Sequence, residues 1–150
     1  MTSTRAMTRS KGQAGSVLLE ALVAILIFSI GILAIVGMQT TAVKAAGDAK
    51  YRSDASLLAG ELLGQMWVSD RIAANLQTNF QGGGGTDGAA YTAWKANVTA
   101  ALPVPAANPP LVTVNTGVTP PMVTIQVFWL QPSEPAGTAA HNYTIVAQIQ

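Results

Sequence analysis

Among the residues able to do chemistry, Glu20 stands out by its surroundings. It is a carboxylate in the run Gly15-Ser16-Val17-Leu18-Leu19-Glu20, which continues apolar to about Met38. An acid at the middle of a membrane helix costs roughly 2.5–3.5 kcal/mol on insertion scales, so its chemistry is that of an ion pair in search of a cation. The remaining ionisable residues carry less. His141 is the only histidine, and beside Asn142 it reads as a solvated loop residue rather than a catalyst. The seven Asp and Glu are dispersed, with neither paired-carboxylate nor metal-ligand spacing. Cysteine is absent, which excludes disulfides and thiolate metal sites but leaves the compartment open. This inventory argues against an enzyme, and no cofactor is expected.

A helix must hold Glu20. Residues 1–15 contain Arg5, Arg9 and Lys11 without an acid, and the rest of the chain is slightly acidic, so no basic surface for nucleic acid is expected. The positive-inside tendency keeps this leader cytoplasmic. From Ala21 to Val43 there is no charge over about 23 positions, which at roughly 1.5 Å per residue covers a hydrocarbon core of roughly 30 Å. A secretory signal is a rival reading, but its apolar region is typically about 7–15 residues, and Thr40-Thr41-Ala42 is a weak cleavage site. A signal-anchor that is never cut is another. Gly31 and Gly37 each weaken the helix by about 1 kcal/mol relative to alanine. They are explained either by close packing and simple tolerance or by a place where the helix bends or melts.

Much of the 49% hydrophobic content lies in that segment. From about Gly47 the composition supports one small core. The helical pattern continues with Asp48, Arg52, Lys50 and Asp54 at four-residue spacings, which reads as a solvated charged face. Leu58, Leu62, Met66, Ala73, Leu76 and Phe80 then form one stripe, widened by Leu57, Leu63, Trp67 and Ile72. Gln81 to Gly88 ends this helix as a flexible glycine-rich loop; it lacks the Lys-Ser or Lys-Thr of a phosphate loop. Tyr91, Trp94, Val98 and Leu102 predict a short helix stopping at Pro103. Pro103, Pro105, Pro109 and Pro110 mark an extended connection. Leu111 to Asn115, Met122 to Leu130 and the segment with Tyr143, Ile145, Ala147 and Ile149 predict strands, the last two joined across the loop Gln131 to Asn142. Asn97-Val98-Thr99 and Asn142-Tyr143-Thr144 fit the glycosylation triplet, a pattern common by chance. The fold class expected is α+β, a long N-terminal helix packed on a small C-terminal antiparallel sheet.

Gly15-Ser16-Val17-Leu18-Leu19-Glu20 resembles the processing site of type IV pilins and type II secretion pseudopilins. In that family a prepilin peptidase of the inner membrane cuts after the glycine on the cytoplasmic side and methylates the new amino terminus, while the apolar segment stays on the mature protein. The resemblance implies cleavage between Gly15 and Ser16, N-methylation at Ser16, and Glu20 at the family's fifth mature position. Cleavage would create an amine at Ser16, four residues from Glu20. In a filament core Glu20 would instead face the amine of a neighbouring subunit and help set axial register.

Leu18-Leu19-Glu20-Ala21-Leu22-Val23-Ala24 and Ser29-Ile30-Gly31-Ile32-Leu33, followed by Gln39, most resemble PilV-type minor pilins, the type IV pilus modification proteins. Trp94 and Leu102-Pro103 are compatible with that group. The match covers roughly residues 9–40. The I-type minor pseudopilin of type II secretion shares a similar Leu-Leu-Glu segment. Ser16 stands where Phe or Met is common, and the missing cysteines forbid the disulfide-closed loop of many major pilins, which favours a minor component.

The implied organisation is a leader at 1–15, a membrane-spanning and assembly half-helix at 16–43, and a periplasmic globular domain at 44–150. The implied partners are prepilin peptidase, other minor pilins and the major pilin, a tip adhesin, and the inner membrane. The protein would lie in the bacterial inner membrane before assembly and on the pilus at the cell surface afterwards. The rival readings are a minor pseudopilin of type II secretion and a simple membrane-anchored periplasmic binding module.

Overall fold

The first proline in the sequence is Pro103, so nothing before it removes a helical N–H. The computed structural model describes residues 14–135 and 137–150, and in it helix α1 runs unbroken over Ala14–Val68, 55 residues. The leader residues Arg5, Arg9 and Lys11 lie outside the described residues. By packing, the chain divides into a unit ending at Val43 and a unit spanning Lys44–Gln150.

Within the first unit the described residues are α-helix alone, and the large apolar side chains are exposed all round, among them Phe28 at 68% and Leu33 at 73%. Its hydroxyls turn inward on the backbone. Ser29 Oγ donates to the Ile25 carbonyl at 2.7 Å, Thr40 Oγ1 to Val36 at 3.1 Å and Thr41 Oγ1 to Gly37 at 3.3 Å. Each of these three hydroxyls is thereby satisfied within the helix, as a hydrocarbon surrounding requires. The stretch is long and apolar enough to cross a bilayer once, with none of its most apolar window buried within the chain.

The second unit is an α+β fold. After α1 come α2 (Ala73–Phe80), α3 (Ala89–Ala101), β1 (Leu111–Asn115), β2 (Met122–Trp129) and β3 (His141–Gln148). The sheet is antiparallel throughout in the order β1-β2-β3, with Val112 opposite Ile125 and Ile125 opposite Ile145. Ala55, Ala59, Leu62 and Met66, at helical spacing on α1, are fully buried in one core with Leu76 of α2, Tyr91, Trp94 and Val98 of α3, and the inward residues of the sheet. Trp94 Nε1 donates to the Leu58 carbonyl at 2.8 Å, which pins α3 against α1. The Tyr91 hydroxyl donates to the Pro110 carbonyl at 2.6 Å; burial, followed by the nearby Asp87 charge, pushes its pKa up to about 12.

Three expectations are corrected here. The stripe from Leu58 to Phe80 is not one helix. Ser69 folds back through its N–H and Oγ onto the Met66 carbonyl, and Asp70 accepts from the Ile72 N–H at 3.0 Å and from Asn75 Nδ2 at 2.6 Å. Such local side-chain bonds compete with the helix, so the chain turns before α2 begins. Leu57, Trp67 and Ile72, expected to widen the stripe, are exposed at 69%, 42% and 62%.

The glycine-rich segment is docked rather than loose. Gly82 exchanges both backbone bonds with Val112, at 3.1 and 3.0 Å, and Gly83 N–H donates to Asp87 Oδ1 at 2.8 Å. A side chain at Gly82 would run into the Tyr91 ring, and Gly83 holds φ at +89°, so both positions require glycine. The third correction concerns His141, which is the first residue of β3 rather than part of the preceding loop.

Candidate functional site: the first turns of the long helix

Gly15, Ser16 and Glu20 all fall in the opening turns of α1. Ser16 and Glu20 are four residues apart and share one face, about 6 Å along the axis. The Glu20 side chain is exposed and makes no hydrogen bond or ion pair among the described residues. Among the described residues, nothing lies within 4 Å of where a Cβ at Gly15 would stand. An amine created at Ser16 would find Glu20 on its own helix face or, across a contact, on another subunit's.

Gly31 and Gly37 lie inside unbroken helix, and an added Cβ at either would meet nothing within 4 Å. No packing contact among the described residues accounts for them, which leaves simple tolerance, a neighbouring helix or a local melting step.

One group of interacting side chains was missed by sequence reasoning. Around His141, Nε2 lies 2.7 Å from Glu134 Oε1, Nδ1 lies 3.5 Å from Asp48 Oδ1, and the ring stacks on Trp129 with centroids 5.9 Å apart. Trp129 Nε1 donates to the same Asp48 oxygen at 3.2 Å. The Gln131 side chain, buried, donates to the Lys44 carbonyl at 3.4 Å, and Gln131 N–H donates to Glu134 Oε2 at 3.1 Å. These contacts fasten the β2–β3 loop to the Lys44–Asp48 stretch of α1.

The hydrogen bond to Glu134 is the main cause that raises the His141 pKa; the same bond lowers that of Glu134. The two carboxylates sit on opposite ring nitrogens, so they do not converge on one point, and no metal-holding group of three ligands is found among the described residues. Asp48 thus faces the sheet rather than the solvated face expected for it, whereas Lys50 and Asp54 do form their helical ion pair, at 3.7 Å. An acid and a histidine bracketing a strand-joining loop was the one visible signal. That Asp48 joins them could not be read without knowing how α1 lies on the sheet.

Comparison with family models, with curated proteins and with solved structures finds no match to the chain.

Proposed function

We propose that this protein is a minor pilin of a type IV pilus: a non-enzymatic subunit made as a precursor, cut between Gly15 and Ser16 by prepilin peptidase, and incorporated into the tip or priming complex. There it supports pilus assembly, adhesion or twitching motility alongside other minor pilins and the major pilin. The observation that carries this reading is Glu20 on the opening turns of an apolar helix whose surface the chain leaves uncovered. Before cleavage the Ser16 nitrogen is an uncharged amide and offers no counter-ion. After cleavage it is a cation, and Glu20 gains the partner that makes helix-to-helix assembly favourable. Cleavage therefore licenses assembly.

The α+β unit with its amphipathic half-helix over a three-stranded sheet supports the same reading, as does the absence of cysteine. The Leu18-Leu19-Glu20 segment also favours, as a second reading, an I-type minor pseudopilin of type II secretion; pilus or secretion genes beside this one separate the two. The test is Glu20→Ala in cells that build the filament. The variant is expected to insert in the membrane and be processed at normal levels yet to be depleted from sheared filaments and from the minor-subunit complex. Normal incorporation of the variant overturns the assembly role of Glu20.

A further inference from the structure

The two edges of the sheet are finished differently. The hydrogen-bond phase follows from two contacts: Ile149 N–H donates to the Pro121 carbonyl at 3.0 Å, and Val112 exchanges bonds with Gly82. In an antiparallel ladder the residues of alternate pairs point both backbone groups at the partner strand, and those between point both away. Extending the phase through the observed register turns Val123, Ile125 and Val127 toward Ala147, Ile145 and Tyr143. Val112 and Val114 then point out from β1, and Asn142, Thr144, Val146 and Gln148 point out from β3.

The β1 edge is capped. Val112 is bonded to Gly82 in both directions, and Val114 N–H donates to Gln81 Oε1 at 3.4 Å. At the β3 edge the four outward N–H and four outward C=O groups have no partner among the described residues. Burial differs in the same way. The inward residues of β1 and β2 are closed off, with Val112, Val123, Ile125 and Val127 at 0–1% exposure, while Tyr143, Ile145 and Ala147 of β3 are only half-buried. Edge strands are commonly protected by lysines, prolines, bulges or shortness. β3 has eight residues in continuous register, without proline, glycine, Lys, Arg, Asp or Glu.

We propose that the outer edge of β3 is a docking site for an uncharged, extended segment of a different subunit, which adds antiparallel as a fourth strand. Its residues bonded to Asn142, Thr144, Val146 and Gln148 lie on the solvent face and are polar or small. Its alternate residues lie beside Tyr143, Ile145 and Ala147 and are apolar, completing the half-closed side of the core.

A second copy is not the occupant. Its β1 edge is already capped. Pairing β3 antiparallel with a second β3 is chemically suitable but reverses the two chains. β3 starts at Asp48 of α1 through His141 and ends at Arg71, whose guanidinium donates to the Gln150 carbonyl, so it runs in the sense of α1. Two-fold pairing would put the Lys44 ends of the two copies at opposite ends of the joined sheet, which two anchors in one bilayer do not allow. That exclusion rests on the membrane-anchored reading, which falls if the mature chain begins beyond Val43; strand addition stands or falls on amide exchange.

The experiment uses the full chain in lipid nanodiscs and, as probe, a capped synthetic octapeptide copying His141–Gln148, which has the required alternation and no anchor. Amide exchange at Asn142, Thr144, Val146 and Gln148 should slow by about tenfold or more at saturating peptide. A copy N-methylated at its equivalents of those four residues should have no effect, and one N-methylated at its equivalents of Tyr143, Ile145 and Ala147 should act like the parent. No slowing, or the same slowing from both methylated copies, overturns the site. Slowing without peptide that grows with protein density in one bilayer makes a second copy the occupant and overturns the assignment to a different subunit.

Discussion

The two halves of α1 share a backbone and differ in every surface property. Up to Val43 the helix is apolar on every side apart from Glu20 and a few short polar side chains, and buries none of that surface among the described residues. From Lys44 to Val68 a single stripe, Ala55, Ala59, Leu62 and Met66, is fully buried while Lys50, Arg52 and Glu61 face solvent. The second half is stabilised by this chain's own core. The first half has no such support among the described residues, and its apolar surface is compatible with a single membrane span. A helix apolar on nearly every side in one half and striped in the other separates the residues that make the fold from those the fold leaves uncovered.

Substitutions should separate the halves in the same way. Leu62→Ala removes a fully buried side chain and should lower the stability of the Lys44–Gln150 unit by about 2–5 kcal/mol, read by denaturant unfolding followed through tryptophan fluorescence. Leu26→Ala, 59% exposed in the first half, should shift the same transition by less than about 0.5 kcal/mol. Equal effects would dissolve the distinction. Trp94→Phe, which shrinks a buried ring and deletes the bond to Leu58, should cost about 1–3 kcal/mol.

The smallest effect concerns the His141 clamp. His141 has a raised pKa when folded, so the folded unit holds that proton more tightly than the unfolded chain does. Its contribution is complete below the ordinary value of 6.5 and is lost as pH rises through the raised value. Glu134, lowered, contributes above its ordinary 4.5 and loses that contribution as pH falls through the lowered value. The clamp therefore helps most between those ordinary values. Unfolding midpoints should decline gently above that window, and His141→Gln should flatten the decline. An unchanged slope in the variant would remove the clamp from the second half's stability.

The sequence made the elements legible where period and punctuation agreed. Tyr91, Trp94, Val98 and Leu102 ahead of Pro103 marked α3, and alternation from Val123 to Trp129 marked β2 and its buried face. It failed at Ser69 and Asp70, where side chains bond their own backbone inside an otherwise continuous apolar period. It failed again at Gln81–Gly88, because glycines that dock on a strand edge look the same in sequence as glycines that do not. Of the candidate site, Gly15, Ser16 and Glu20 were readable because an acid in an apolar run is a local anomaly. The place of Asp48 beside Glu134 and His141 was not, since Asp48 lies far from both in sequence.

The central claim is that the first half of α1 becomes an assembly surface through a cut at its start. The most direct measurement is the intact N-terminal mass of the protein recovered from the membrane of its own host, with a Gly15→Val variant beside it. The natural chain should begin at Ser16, with residues 1–15 gone and Ala21–Val43 retained, and the variant should keep its full precursor mass. A natural chain that retains residues 1–15 or begins beyond Val43, or a variant of normal mature mass, would contradict the claim.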